Sequence, residues 1–502
     1  MNLLRALILA ATLAGCATLE RPFSDHLESA AIPVRDCAAW FAALDAAVDG
    51  AGVRDAQEAR IRGFPYLRVD RSLSALRERA ASDAAATHAL ALRLAALDYA
   101  ARKAEIANLP DERLAALPVL VISSLRREAA ARTRDCAQLL RETDFAKPEP
   151  RQWLLERATV PDDYSTARRA AGLYALTRIP FAAGVRRWES ETSAAFAREP
   201  RGTGRPLIRY APPPAPPRSR DALERLLAAS SANLLGLPEP VAQDLAELLA
   251  AFAPSFEVEV AGDYDRFGQL RWLRGHETPS VDAAQQVVYA HVARTLYRGR
   301  VLLQLVYTIW FPERPPSEPG DLLAGLLDGL TWRVTLAPDG EPLVYDTIHP
   351  CGCYHMFFPT PRARALPAPN GYDEWAFSPH PLPRVQAGER PVLHVASGTH
   401  YIERVSIARG MDSVAQYELR DYDELRSLAR LDGGSRSAFG PDGLIAGTGR
   451  LERYLYWPTG VRSAGAMRQW GRHATAFVGR RHFDDADLLE RRFELDLGSA
   501  AK

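Results

Sequence analysis

The sequence predicts an α+β protein, with a helical N-terminal domain followed by a β-rich C-terminal domain of antiparallel sandwich-like or open-barrel type. Three observations carry this. Up to residue 210, apolar residues recur at helical spacing among Ala, Leu, Arg and Glu, all good helix formers. At 211–219 the run "APPPAPPRS" breaks the pattern and reads as an extended polyproline spacer. From Phe256 the apolar period changes to two, the period of a strand with one face in a core. With 502 residues and 47% hydrophobic composition, the chain suffices for two or three domains with packed cores.

The elements follow in chain order. Arg5 supplies a short positive region, "ALILAATLA" an apolar segment too short to span a bilayer as a helix, and "LAGC" closes it at Leu13–Cys16. This ending resembles the lipobox of bacterial lipoproteins. The resemblance covers only the first sixteen residues. It implies that residues 1–15 are a signal peptide and that Cys16 is acylated as the first mature residue. It also implies that the membrane leaflet is a partner through the N-terminal lipid. Ala17, rather than Asp, follows the Cys, which by the same resemblance implies the outer membrane, facing the periplasm. Each buried CH₂ of the acyl chains contributes roughly 0.8 kcal/mol to anchoring. A plain signal peptide with Ala-x-Ala cleavage is the alternative. The mature sequence resembles no characterised enzyme family.

Beyond the leader the expected domains are a helical one at 16–210, the spacer at 211–219, a helical connector at 220–254 and a β-rich domain at 255–502. "LSALRERAASDAAATHALALRLAALDYAARKAEIANL" and "LPVLVISSLRREAAARTRDCAQLLRET" are the main helical stretches. "GFPYLRVDRSL" between the early helices reads as a break at Gly63 and Pro65. Two short helices are expected near 220–235 and 239–252. "VVYAHVARTLY" and "RVLLQLVYTIWF" flank Arg298-Gly299 as a hairpin, and "LTWRVTL" and "EPLVYDTIH" flank "APDG" as a second. "RPVLHVAS" and "RLERYLYW" are expected as further strands. "HFDD" at 482–485 resembles a helix N-terminus, where Asp satisfies free amides.

Net charge is zero, so there is no global basic field for nucleic acid. Apart from Cys16, four cysteines remain. Cys37 and Cys136 sit in near-identical contexts, "RDCAAWFAALD" and "RDCAQLLRETD". In an exported chain, where disulfides persist, they are expected to pair across two helices. Two buried reduced thiols are the alternative.

The candidate chemistry centres on "HPCGCYH". In an extended strand His349, Cys351, Cys353 and His355 face one side, but same-face neighbours stand roughly 6.6–7 Å apart, too far for one ion. Pro350 removes a ladder donor and Gly352 permits a sharp bend, so the segment is expected to curl. A curl offers two thiolates and imidazoles to Zn or Cu(I), with His400 completing the set. A strained Cys351–Cys353 disulfide and inert packing are the competing readings. If the centre is catalytic, metal-activated water attacks an envelope substrate, with Glu403 or Asp346 as proton acceptor. The alternative function is a non-catalytic envelope scaffold or binding lipoprotein with structural disulfides.

Overall fold

The computed structural model describes residues 30–118, 124–198, 204–214, 218–369, 371–410 and 414–498. The expected signal peptide and Cys16 lie outside the described residues. The fold is α+β, with the long helices concentrated in the N-terminal half and antiparallel and mixed sheets in the C-terminal half. It divides into two compact units. The first holds residues up to Arg54 and Glu58–Val160; the second holds Asp55–Gln57 and the chain from Pro161 onward.

The first unit is built on four helices, α1 (Ile32–Ala51), α2 (Ala84–Asn108), α3 (Leu125–Phe145) and α4 (Pro148–Arg157). α1 buries Trp40, Phe41, Leu44 and Val48, one apolar stripe at helical spacing, and stops at Gly52 in the left-handed region. Asp83 caps α2 by accepting the Ala86 N–H at 2.8 Å. The break at Gly63 and Pro65 is in fact a ribbon, β1 (Ala59–Ile61) with β2 (Phe64–Val69). Its Arg68 is fully buried, and the guanidinium meets Asp98 at 3.1 Å and Glu105 at 2.7 Å, both on α2. A Cys37–Cys136 disulfide ties α1 to α3 across a sequence separation of 99.

The second unit is built on two large sheets, with three two-stranded ribbons besides among the described residues. Six strands, β5 (Val287–Tyr297), β6 (Arg300–Arg314), β7 (Gly325–Leu336), β8 (Pro342–Ile348), β9 (Met356–Pro359) and β13 (Glu418–Asp421), lie in the order β9-β8-β7-β6-β5-β13. Five strands, β3 (Leu207–Ala211), β4 (Ser255–Glu259), β10 (Arg390–Val395), β11 (Ile402–Ala408) and β12 (Val414–Gln416), lie in the order β11-β10-β4-β3-β12. Phe256, Val258, Leu393 and Val405 from the smaller sheet share a core with Leu305, Tyr307, Ile309, Trp332 and Val334 from the larger. Alternation along β6 sends odd-numbered side chains into this core, whereas Leu302 and Trp310 enter cores on the other face. Both expected hairpins form. Tyr297 pairs with Arg300 across Arg298 and Gly299, both at positive φ as a tight two-residue turn requires.

Three expectations are corrected. The first unit ends at Val160, well before 210. α5 (Thr166–Ala171) and α6 (Tyr174–Phe196) belong to the second unit, where Trp188 of α6 packs on Phe377 and Tyr354. The Pro-rich run therefore joins two parts of one unit: β3 on one side, and α7 (Arg220–Ser230) and α8 (Ala242–Phe252) on the other. Residues 215–217 of that run lie outside the described residues. "RLERYLYW" is no strand; it holds α9 (Arg453–Tyr456) and a 3₁₀ turn at Trp457–Thr459. Leu451, Tyr454 and Leu455 stand at helical spacing, and no neighbouring strand pairs with them. Finally, "HFDD" forms a turn, in which Asp485 accepts the His482 N–H at 2.8 Å.

The disulfide yields a first prediction. In the chain-entropy model a link closing a loop of about 100 residues is worth roughly 4–5 kcal/mol. Replacing Cys37 and Cys136 by Ala is expected to lower the urea midpoint of the first unit correspondingly, with the same shift on adding reductant. An unchanged midpoint would refute it.

Candidate functional site

The polar centre of the second unit is built around a carboxylate near the start of β7. Asp328 pairs in register with Phe311 of β6. The ring of His400 stacks on Phe311 with centroids 3.9 Å apart and planes 4° apart, and its Nδ1 lies 3.0 Å from Asp328 Oδ2. On the other side Asp328 Oδ1 lies 3.1 Å from Nδ1 of His349, the residue after β8. His400 Nε2 faces Asp265 at 3.4 Å. Asp265 in turn accepts the Ser397 hydroxyl at 2.8 Å and the Gly398 N–H at 2.7 Å. His400 has φ +53°, a left-handed conformation uncommon for a side-chain-bearing residue and held here by these contacts.

Electrostatics separates the two imidazoles. Burial raises the Asp328 carboxyl, but His349 and His400 outweigh it and hold the group well below the usual range. Burial pushes His400 down, yet Asp265 and Asp328 together raise its ring above the ordinary value, favouring the cationic form between the two carboxylates. For His349 burial wins over the single carboxylate, and the ring is neutral. Because ionised Asp328 only accepts, His349 must donate from Nδ1, which leaves its Nε2 lone pair free.

The His349 ring lines a cleft of about 20 Å³ with Thr347, Tyr354, Tyr401, Trp188 and Thr192. That volume holds roughly one water. The Thr347 hydroxyl is buried with no partner among the described residues. Glu452 lies within electrostatic range of Asp328 and Tyr354. Burial lifts its carboxyl to about 7 against the pull of Arg450, Arg314 and Arg468. Its Oε1 is so close to Gly465, at φ +82°, that a Cβ there would lie 2.1 Å away. A strongly ionised Asp328 bound to a neutral imidazole, with the raised carboxyl of Glu452 within electrostatic range of Asp328, is a set suited to proton transfer.

The segment at 349–355 curls as its Pro and Gly imply. The Gly352 N–H donates to His349 O at 2.7 Å, and the His349 N–H to Cys353 O at 3.0 Å. Gly352 has φ +92°, and a Cβ would strike Ala474 O at 2.5 Å. The curl nevertheless distributes the expected ligands. Cys351 and Cys353 are free, buried and within hydrogen-bonding reach of each other, in an apolar cluster with Trp310 and Met467. His355 Nε2 binds Asp346 at 3.0 Å, and Asp346 also receives Arg333 Nε at 2.9 Å. Of the five expected ligands, Cys351 and Cys353 stand together without a histidine, His349 and His400 meet only through Asp328, and His355 joins neither group. Among the described residues no group of three or more His, Cys, Asp or Glu side chains is placed to hold a metal ion.

The expected proton acceptors stand elsewhere. Asp346 is buried on the opposite face of β8 from His349, and Arg333 and His355 engage its oxygens. Glu403 occupies an exposed position on β11 beside Glu259. Sequence reasoning missed the part played by Asp328, Glu452 and Asp265. Asp265 lies in a 3₁₀ turn and is fully buried there. Nothing in a lone Asp before "GLTWRVTL" marks it as the holder of two distant histidines. No family model matches the chain, and no curated protein or solved structure shows significant similarity to it.

Two outcomes test this site. Asp328→Asn removes the anion that compensates His400 and anchors His349, and is expected to cost roughly 3–5 kcal/mol in denaturant unfolding. For Glu452 the folded pKa of about 7 lies above the ordinary value of 4.5, so the native state holds the extra proton. Its stabilising effect is full below pH 4.5 and is lost as pH rises through about 7. Glu452→Gln is expected to match the wild type at low pH and to exceed it by on the order of 1–3 kcal/mol at pH about 8. A pH-independent difference would contradict the assignment.

Proposed function

We propose that the protein is a lipid-anchored protein of the outer membrane, facing the periplasm, whose second unit hydrolyses an envelope substrate by acid–base chemistry at His349. The observation that carries the catalytic half is the buried His349 ring, bound through Nδ1 to Asp328 while the residue lines a water-sized cleft. That is the arrangement of a general base. A water between Nε2 and the Thr347 hydroxyl gives up a proton to Nε2 as its oxygen attacks. Asp328 stabilises the imidazolium that forms, and protonated Glu452 supplies the proton taken by the leaving group. Exchange with solvent then returns a proton to Glu452 and removes one from His349. His400, held cationic by Asp265, keeps Asp328 ionised throughout. The localisation rests on "LAGC" at Leu13–Cys16, and the Cys37–Cys136 disulfide suits an oxidising compartment.

A second reading, a non-catalytic binding lipoprotein, draws on a cavity of about 560 Å³ lined by Leu223, Phe252, Tyr345, Arg220, Arg384 and Arg390. This is the size of a small-molecule site.

Both halves are testable. Cys16→Ser is expected to move the protein from the membrane fraction to the soluble periplasm, and a protein that stays membrane-bound would count against the anchor. Against a panel of p-nitrophenyl esters and phosphodiesters, His349→Ala is expected to lower kcat/KM by about 10²–10⁴-fold, the usual range for a general base. Equal rates for wild type and variant would leave the binding reading in place.

A further inference from the structure

The second unit exposes one group of large apolar side chains. Leu173, Leu176 and Ile179 lie where α5 turns into α6, and Tyr454, Leu455 and Trp457 lie on α9 and the 3₁₀ turn after it; all are between 41% and 66% exposed. The two segments form one surface. Gly172 packs so closely on Pro458 that a Cβ at 172 would lie 2.5 Å from the proline Cβ. Phe181 meets Tyr456 with ring centroids 5.3 Å apart, and Arg169 Nε donates to Thr459 O at 2.6 Å.

The same segments carry Arg168, Arg169, Arg178 and Arg453. Arg169 is spent on backbone carbonyls, Arg178 lies over the ring of Tyr372, and Arg453 donates to the Tyr454 hydroxyl. None of the four makes an ion pair with a carboxylate among the described residues. The face is therefore apolar, edged with Trp and Tyr, and cationic. Scattered exposed leucines need no explanation, but a contiguous group of this kind marks an interaction surface. Leu with interfacial aromatics and uncompensated Arg is the composition that seats in the headgroup region of an anionic bilayer.

We propose that this face docks on an anionic phospholipid leaflet, as a second membrane contact beside the acyl anchor. The inference rests on the lipoprotein reading only in that the anchor keeps a leaflet within reach. The face itself needs no lipid on Cys16. The charge rather than the apolar area decides between occupants: a second copy of this chain would bring the same four arginines against themselves.

The test uses the full chain reconstituted in vesicles of phosphatidylethanolamine and phosphatidylglycerol that contain a phosphatidylglycerol with a photoreactive acyl chain. Labelled peptides are mapped by mass spectrometry. Labelling is expected over 168–181 and 451–459, falling about five-fold or more in phosphatidylcholine vesicles and in the Leu176→Glu/Leu455→Glu variant. Arg168→Glu/Arg453→Glu, which leaves the apolar group intact, is expected to lose labelling in the same direction. Because all these positions are exposed, each variant should keep the wild-type thermal midpoint, which checks folding. Labelling confined to the Cys16 peptide would overturn docking while the anchor stands. Labelling of the face with no lipid on Cys16 would uphold docking while the anchor reading fails. Equal labelling of wild type and variants, or a dimer in sedimentation that Leu176→Glu/Leu455→Glu dissolves, would also overturn it.

Discussion

The buried Asp328 carboxylate is the constraint on which the second unit's centre depends. An ion this deep is stable only when its lone pairs are filled and its charge is answered. Two histidines do this in different ways. His400, whose ring Asp265 and Asp328 push toward the charged form, answers the charge, and His349, pushed toward the neutral form by burial, supplies a hydrogen bond. Because His400 is already held by Asp265 and stacked on Phe311, one carboxylate joins a strand of the larger sheet to the turn between β10 and β11 of the smaller. The two sheets meet in an apolar core, but this ionic chain sets how the ends of their strands stand relative to each other.

The same strands carry a second, separate ionic group on the opposite face. Along β8, Thr347 and the following His349 point one way and Asp346 the other, as strand alternation demands. Asp346 therefore answers Arg333, its cross-strand partner, and His355 beyond the curl. The seven residues of "HPCGCYH" thus serve three environments. One histidine goes to Asp328, the other to Asp346, and the two thiols go to an apolar cluster between them. The first unit obeys the same rule with other residues, Arg68 lying between Asp98 and Glu105, with the buried Arg102 on the same two carboxylates and on Asp45.

Much of the architecture was legible in the residues, and its limits were physical. Both hairpins were readable because a two-residue turn at Arg298-Gly299 and a Pro-Asp-Gly turn specify geometry locally. The curl at Pro350 and Gly352 followed from local sterics in the same way. The Cys37–Cys136 pairing was readable because few thiols were left to pair. "RLERYLYW" was misread because apolar spacing of three and four in a short segment also resembles loose alternation. The helical pattern of α5 and α6 was right, but amphipathicity does not say which core a helical face joins, so their unit was misplaced.

The sequence by itself determined the α+β class, the two hairpins and the bend in the cysteine-bearing segment. Each of these depends on periodicity or on backbone restrictions within a few residues. Only the tertiary structure decided where the histidines found their carboxylates, that burial would lift the Glu452 carboxyl to about 7, and that Leu173, Leu176 and Trp457 would share one uncovered surface. Those outcomes depend on strand register and on dielectric surroundings created by residues tens to hundreds of positions away, and no local pattern encodes them.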